Sequence, residues 1–235
     1  MLHSEIKDRL IIALDVPDFV SAKNLVDKIE DEGVFYKIGL ELMMSGDYFK
    51  IIEWLKERNK KVFADLKLYD ISETVGRAVK NLAQYEIDLL TIHASSRQIM
   101  EQAAQNKGKM QIAAVTVLTN LDQSDLKEMG FDDKISLSDL VVKKAELAIN
   151  CGIDGVVASS LESRMLREKL GQDFIIVTPG IRLDKIVNDD QKRVADVKEA
   201  IGQGSSYLVV GRPITRDESP KEMAAKFNQM IDSVL

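Results

Sequence analysis

Short apolar runs rich in β-branched residues recur along the 235-residue chain, each followed by a longer segment whose apolar positions repeat at helical spacing. The runs are RLIIAL, VFYKIG, KVFADL, DLLTIH, QIAAVTV, DGVVAS, FIIVTP and YLVVG. Helical segments between them include SAKNLVDKIEDEG, predicted to close on Gly33, and LSDLVVKKAELAINCG, predicted to close on Gly152. Strands that alternate with helices pair in parallel through right-handed crossovers, and near-continuous apolar strands are covered on both faces. Eight such units in a chain of this length, with no linker or composition shift dividing them, predict an α/β fold: a single-domain (β/α)8 TIM barrel over residues 1–235. The other arrangement is an open doubly wound sheet. That sheet normally advertises a glycine-rich nucleotide fingerprint after its first strand, whereas LDVPDF follows here and neither G-x-G-x-x-G nor G-x-x-x-x-G-K-[ST] occurs.

Composition narrows the function classes. With 45% hydrophobic and 30% charged residues the chain can bury a sizeable core and shows no sign of disorder. Its net charge of −6 argues against nucleic acid or an anionic membrane as partner, so an anionic ligand must find its positive partners locally. The single cysteine, Cys151, excludes an internal disulfide and is too little for a thiolate metal site, which fits a reducing compartment. The first apolar run is short, preceded by acidic residues and followed by Asp15 and Pro17, so it reads as neither a signal peptide nor a membrane span. A cytoplasmic location is the expectation.

In a barrel of this kind the chemistry collects where the strands end. The apolar runs end on Asp15, on Lys37 before Gly39, on Asp65 and Lys67, on His93, on Thr116 and Thr119, on Thr178-Pro179-Gly180-Ile181-Arg182, and on Gly211-Arg212. Each has an ordinary explanation: a loop or cap for Asp15, a snorkelling stem for Lys37, a hydrogen-bonded core imidazole for His93. Gathered on one rim, they read as a site.

The densest stretch is FADLKLYDISETV, Phe63 to Val75. Residues two apart on a strand share a face, so Asp65 and Lys67 are within reach of each other, as a structural ion pair or as chemistry. Asp70 and Glu73 spell a capping box, so Asp70 is equally readable as the start of a helix. An ammonium flanked by carboxylates stays charged and makes a poor Schiff-base former but a well-placed proton donor to a carbanion. A substrate carboxylate brought beside such acids is repelled, and its loss as CO2 relieves the repulsion. Farther on, TPGIR with the polar segment LDKIVNDDQKR, and VVGRPIT, place glycines and Arg182 and Arg212 where barrels of this type hold phosphate, unless these are plain turn glycines and solvated arginines.

These motifs resemble the orotidine 5′-monophosphate decarboxylase family, in its shorter bacterial type, over essentially the whole chain: ALD at Asp15, KIG at Lys37, D-x-K-x-x-D-I-x-x-T from Asp65 to Thr74, TIHA at His93, VTPGIR, DDQKR and GRPIT. The resemblance implies that Lys67 protonates C6 of the pyrimidine as CO2 leaves and that Asp65 faces the departing carboxylate. It implies a homodimer in which Asp70 and Thr74 come from the partner subunit. Lys37 and Asp15 would hold the ribose hydroxyls, Thr119 the pyrimidine edge and Pro179 the base pocket, while Gln191, Arg182, Gly211 and Arg212 would grip the 5′-phosphate under a loop from Ile181 to Gln191. No metal or organic cofactor is implied. One departure is Ser95-Ser96, where the bacterial pattern has paired glycines. A sister barrel of the 3-keto-gulonate 6-phosphate decarboxylase or hexulose phosphate synthase type, which uses Mg2+, would carry a glutamate near the end of its second strand, where Lys37 stands here. A phosphate-ligand-binding or regulatory barrel without turnover is the reading from another class.

Overall fold

Each apolar run forms a strand in the computed structural model, which describes residues 4–183 and 195–235. The strands are β1 (Leu10–Ala13), β2 (Phe35–Ile38), β3 (Lys61–Leu68), β4 (Leu89–His93), β5 (Gln111–Val115), β6 (Gly155–Val157), β7 (Ile175–Thr178) and β8 (Tyr207–Val210). Neighbours pair in parallel in chain order, and Ile11 pairs with both Phe35 and Val209, so β8 returns to β1 and the barrel closes. Helices α1 (Ser4–Lys7), α2 (Phe19–Ile29), α3 (Leu40–Met44), α4 (Tyr48–Lys56), α5 (Ser72–Ala83) and α6 (Arg97–Asn106) follow or precede the first four strands. The remaining helices are α7 (Gln123–Glu128), α8 (Leu137–Asn150), α9 (Ser160–Leu170), α10 (Val197–Gly202), α11 (Arg212–Thr215) and α12 (Pro220–Asp232). Among the described residues, no helix is long and apolar enough to cross a membrane.

The near-continuous apolar runs follow from burial on two sides. One parity of each strand, including Ile11, Phe35, Phe63, Leu89, Val177 and Val209, fills the barrel interior. The other, including Ile12, Tyr36, Ile38, Leu90 and Ile92, packs against the helical shell. Each fully buried Leu, Ile or Phe contributes about 1.5–3 kcal/mol of transfer free energy, so neither parity tolerates a polar intruder without a partner. At the strand feet, the residue just before β4, β6 and β8 closes an open backbone donor on the preceding strand. Asp88 accepts from Val62 N–H at 2.8 Å, Asp154 from Ile112 N–H at 2.8 Å and Ser206 from Ile176 N–H at 3.0 Å.

Two helix ends were expected from the sequence. Gly152 takes φ +82° just after α8 and donates its N–H to Ile149, so that end is where the glycine placed it. Gly33 closes the helical segment as expected, but as the cap of the 3-10 turn that continues α2 and not of α2 itself. Helix α2 stops at Ile29, Glu30 takes φ 55° and sends its N–H to Val26, and a short 3-10 turn of three acids intervenes. Gly33 is extended, at φ −104°. Its role is steric, since a Cβ there would lie 2.1 Å from the hydroxyl oxygen of buried Tyr36.

Strand β3 departs from regularity at its upper end. Ala64 pairs with Leu90, but the next pairing is Leu68 with Ile92, so Asp65, Leu66 and Lys67 stand opposite Thr91 alone. Lys67 takes φ +48° in this bulge, a conformation few non-glycine residues adopt.

The tightest backbone approach is at Gly155, where a Cβ would lie 2.0 Å from the carbonyl oxygen of Ile175 on β7. Gly155→Ala is therefore expected to destabilise the fold by about 2 kcal/mol or more, whereas Gly202→Ala, in open space, stays within about 0.5 kcal/mol of the parent. Urea denaturation of the two variants checks this; equal midpoints would contradict it.

Candidate active site

The site is built by extending the inward parity one step past the apolar layer. Beyond Ala13 the next inward position on β1 is Asp15, beyond Phe35 it is Lys37 and beyond Phe63 it is Asp65. On β7 and β8, Pro179 and Gly211 follow Val177 and Val209. These positions open into a cavity of about 570 Å3 at the C-terminal end of the barrel. Asp15, Lys37, Asp65 and Lys67 form its charged floor. Thr119, Pro179, Arg182, Gly211 and Arg212 line the rest of the wall that the sequence singled out.

The floor is an alternating chain of charge. Lys37 Nζ donates to Asp15 Oδ1 at 2.8 Å and stands 3.6 Å from Asp65 Oδ2. Lys67 Nζ donates to Asp65 Oδ1 at 2.7 Å. The side chains of Lys37 and Asp65 are only 11% and 14% exposed, so desolvation opposes charge on both. Burial by itself would lower Lys37, yet its ammonium titrates above the usual lysine range because Asp65 and Asp15 attract the proton more strongly. Burial likewise would raise Asp65, yet Lys37 and Lys67, with hydrogen bonds from Lys67 and Thr91, hold its carboxyl below the usual range. Each buried charge is tolerable because its neighbour is present, and removing one leaves the others uncompensated.

The opposite wall has the character of an anion site. Arg182 is 7% exposed, its backbone N–H bonds to Ala195 at 2.9 Å, and its Nη1 donates to the Ile181 carbonyl at 3.0 Å. Gly211 precedes α11, with Arg212 as the first helical residue. A Cβ at Gly211 would lie 3.7 Å from Asp15 Oδ2, so the two clusters meet at this point.

Asp70 and Thr74 are not on this cavity's wall. The capping-box reading of Asp70 does not hold: α5 begins at Ser72 behind Ile71, without a side-chain cap, and Asp70 Oδ1 accepts from Ile71 N–H at 2.6 Å. Asp70 is exposed between Tyr69 and Ile71, each 70% exposed, and Thr74 lies in the first turn of α5. His93 sits edge-on to Tyr69, ring centroids 5.8 Å apart, and off the cavity wall. Burial, then the positive charges of Lys144 and Lys67, lower its imidazole below the usual range. Neither Ser95 nor Ser96 lies in the left-handed region, so the backbone here accepts serine where the resemblance has glycine. Gln191, and most of the segment from Ile181 that was expected to cover the phosphate, lie outside the described residues.

The sequence reading missed Thr91, whose hydroxyl donates to Asp65 Oδ1 at 2.9 Å and accepts from Lys67 N–H at 3.0 Å. The available signal was a hydroxyl two residues after Leu89, on the same face of the run as Leu89 and His93. Glu41, Asn120, Thr215 and Arg216 also line the cavity. They belong to loops and short helices, where strand periodicity carries no information.

Known proteins share this chain's sequence and fold. The family model "Orotidine 5'-phosphate decarboxylase / HUMPS family" matches residues 8–227. An orotidine 5′-phosphate decarboxylase of Methylococcus capsulatus is 48% identical over 230 residues, covering 97% of this chain and 94% of that protein. Another, from Stenotrophomonas maltophilia, is 44% identical over 229 residues, covering 97% and 94%. The crystal structure of orotidine 5′-phosphate decarboxylase from Lactobacillus acidophilus superposes with a TM-score of 0.84 at 32% identity, covering 95% of this chain and 98% of that one. The chain belongs to the orotidine 5′-phosphate decarboxylase / HUMPS family.

Proposed function

We propose that this protein is a carboxy-lyase that converts orotidine 5′-monophosphate to uridine 5′-monophosphate in pyrimidine biosynthesis. The observation that carries the reading is the Asp15–Lys37–Asp65–Lys67 chain, with Lys37 and Asp65 largely buried at its centre, lining one cavity with a wall that holds two arginines. The whole chain acts as one catalytic barrel, in the cytoplasm.

The phosphate is held by Arg182, Arg212 and the backbone at Gly211, with Gln191 joining from outside the described residues. Thr119 meets the pyrimidine edge, Pro179 lines the base pocket, and Asp15 and Lys37 bind the ribose hydroxyls. This pose lays the C6 carboxylate beside Asp65. The C6–carboxylate bond breaks heterolytically, CO2 departs, and the bonding electron pair stays on C6. Lys67 then transfers a proton from Nζ to C6. Repulsion between the substrate carboxylate and Asp65 weakens as charge moves into the ring, while attraction to Lys67 strengthens, so the array favours the transition state over the bound substrate.

The step needs no metal or organic cofactor, because the lysine ammonium supplies both the charge and the proton. Asp65 is also poorly suited to ligate a divalent ion: Oδ1 accepts from Lys67 and Thr91, and Lys37 faces Oδ2. The Mg2+-dependent sister chemistry lacks its glutamate at the end of β2, where Lys37 stands. The curated relatives at 44–48% identity carry the decarboxylase name.

The working unit is a homodimer in which Asp70 and Thr74 enter the partner's cavity. Support comes from the exposure of Tyr69 and Ile71 around Asp70, an apolar pair that a partner surface would cover.

Three outcomes are expected. Lys67→Ala lowers kcat for orotidylate by at least about a thousandfold, while the parent enzyme keeps its rate in excess chelator; loss of activity with the chelator would point to the sister chemistry. Arg212→Ala raises KM and also lowers kcat by about tenfold or more, since binding energy of the remote phosphate is used at the reacting carbon; wild-type rates at saturation would contradict this. Mixing inactive Lys67→Ala with inactive Asp70→Ala subunits restores about a quarter of parental activity, because half the dimers are hybrids and each hybrid has one intact site. No recovery would place Asp70 in its own subunit's chemistry.

A further inference from the structure

Strands β3 and β4 differ in length where the site begins. Three residues of β3 face one residue of β4, and the middle of the floor, Asp65 to Lys67, lies in that excess. A backbone with a lysine at φ +48° persists only where its surroundings over-determine it. Thr91 is the residue that faces this excess. Its hydroxyl receives the Lys67 N–H at 3.0 Å and gives its own proton to Asp65 Oδ1 at 2.9 Å, so one oxygen is bonded to both ends of the tripeptide. A hydroxyl is the smallest group that can accept and donate at once. Thr91 is 0% exposed and its backbone is paired to Ala113 on β5, while its β-branched side chain has few rotamers available. It stands behind the cavity wall rather than on it.

We propose that Thr91 is a positioning residue for the decarboxylation: its hydroxyl latches the β3 bulge and fixes Asp65 and Lys67 in the geometry the reaction uses. This rests on the proposed function, but the latch itself is a property of the strand pair. Without the hydroxyl, the bulge loses the partner of the Lys67 N–H, and the Asp65 carboxylate loses one of the bonds that favour its charged form. Asp65 is then set by the charges that remain around it. These are Lys37 from β2, Lys67 on its own strand, Asp15 from β1 through Lys37, Tyr48 from α4, and His93 from β4 through Lys67.

The test is Thr91→Val, which keeps shape and removes the hydroxyl, beside Thr91→Ser, which keeps the hydroxyl. Thr91→Val is expected to lower kcat by roughly tenfold to a hundredfold with KM changed less than about threefold, the cost of a small misplacement of reacting groups. Thr91→Ser stays within about threefold of the parent. Carbon-13 NMR titration of the Asp65 carboxyl gives a readout independent of turnover: its midpoint moves to higher pH in Thr91→Val and not in Thr91→Ser. Parental kcat and an unmoved Asp65 midpoint in Thr91→Val overturn the proposal, as does equal impairment of the two variants. If Thr91→Val does not fold, Thr91→Cys, close in volume with a weakly bonding sulfur, takes its place under the same two outcomes. A parent enzyme inert toward orotidylate defeats the proposed function, while the carboxyl titration still decides for or against the latch.

Discussion

Asp65 is the hinge of the charged floor, because it is a buried carboxylate that two ammonium groups share. Taken from water alone, such a group would be expelled or neutralised. With Lys37 on one oxygen, Lys67 on the other and Thr91 beneath, it is held charged, and it in turn holds both lysines in place. The barrel makes this possible by bringing the ends of β1, β2, β3 and β4 side by side, so that four residues far apart in sequence become adjacent in space. A flexible loop could not keep like charges at these separations without paying for the order each time substrate arrived.

The irregularity of β3 lies at the same place. A regular strand would project Asp65 and Lys67 inward with a full two-residue rise between them. In the bulge Lys67 takes a left-handed backbone conformation, and its ammonium lies 2.7 Å from the Asp65 carboxylate. The strained residue and the ion pair thus coincide at the middle of the charged floor. Its neighbours, a fully buried threonine and an ordinary ladder on β4 and β5, are regular enough to bear it.

The arginine wall is separate from the charged floor in chain position but not in space, since Gly211 backs onto Asp15. A ligand that spans the cavity therefore touches arginines at one end and the charged floor at the other. That arrangement suits a nucleotide whose reacting ring and phosphate lie at opposite ends, and it lets remote binding act on local chemistry.

Much of this was legible in the sequence because a strand has a period of two and a barrel buries both parities. Eight apolar runs sufficed for the fold, and reading the residues that end the runs sufficed to bring Asp15, Lys37, Asp65, Lys67, Pro179 and Gly211 onto one cavity. The capping pattern at Asp70 misled because Asp-x-x-Glu is a local motif, and the end of β3 delays the helix to Ser72. Gly33 does end the helical segment, but α2 proper stops four residues earlier, and the glycine also makes room for Tyr36. Only the tertiary structure decided the bulge, the left-handed Lys67 and the place of Thr91. Each depends on how many residues of one strand stand opposite another, a relation between distant segments that no local periodicity encodes.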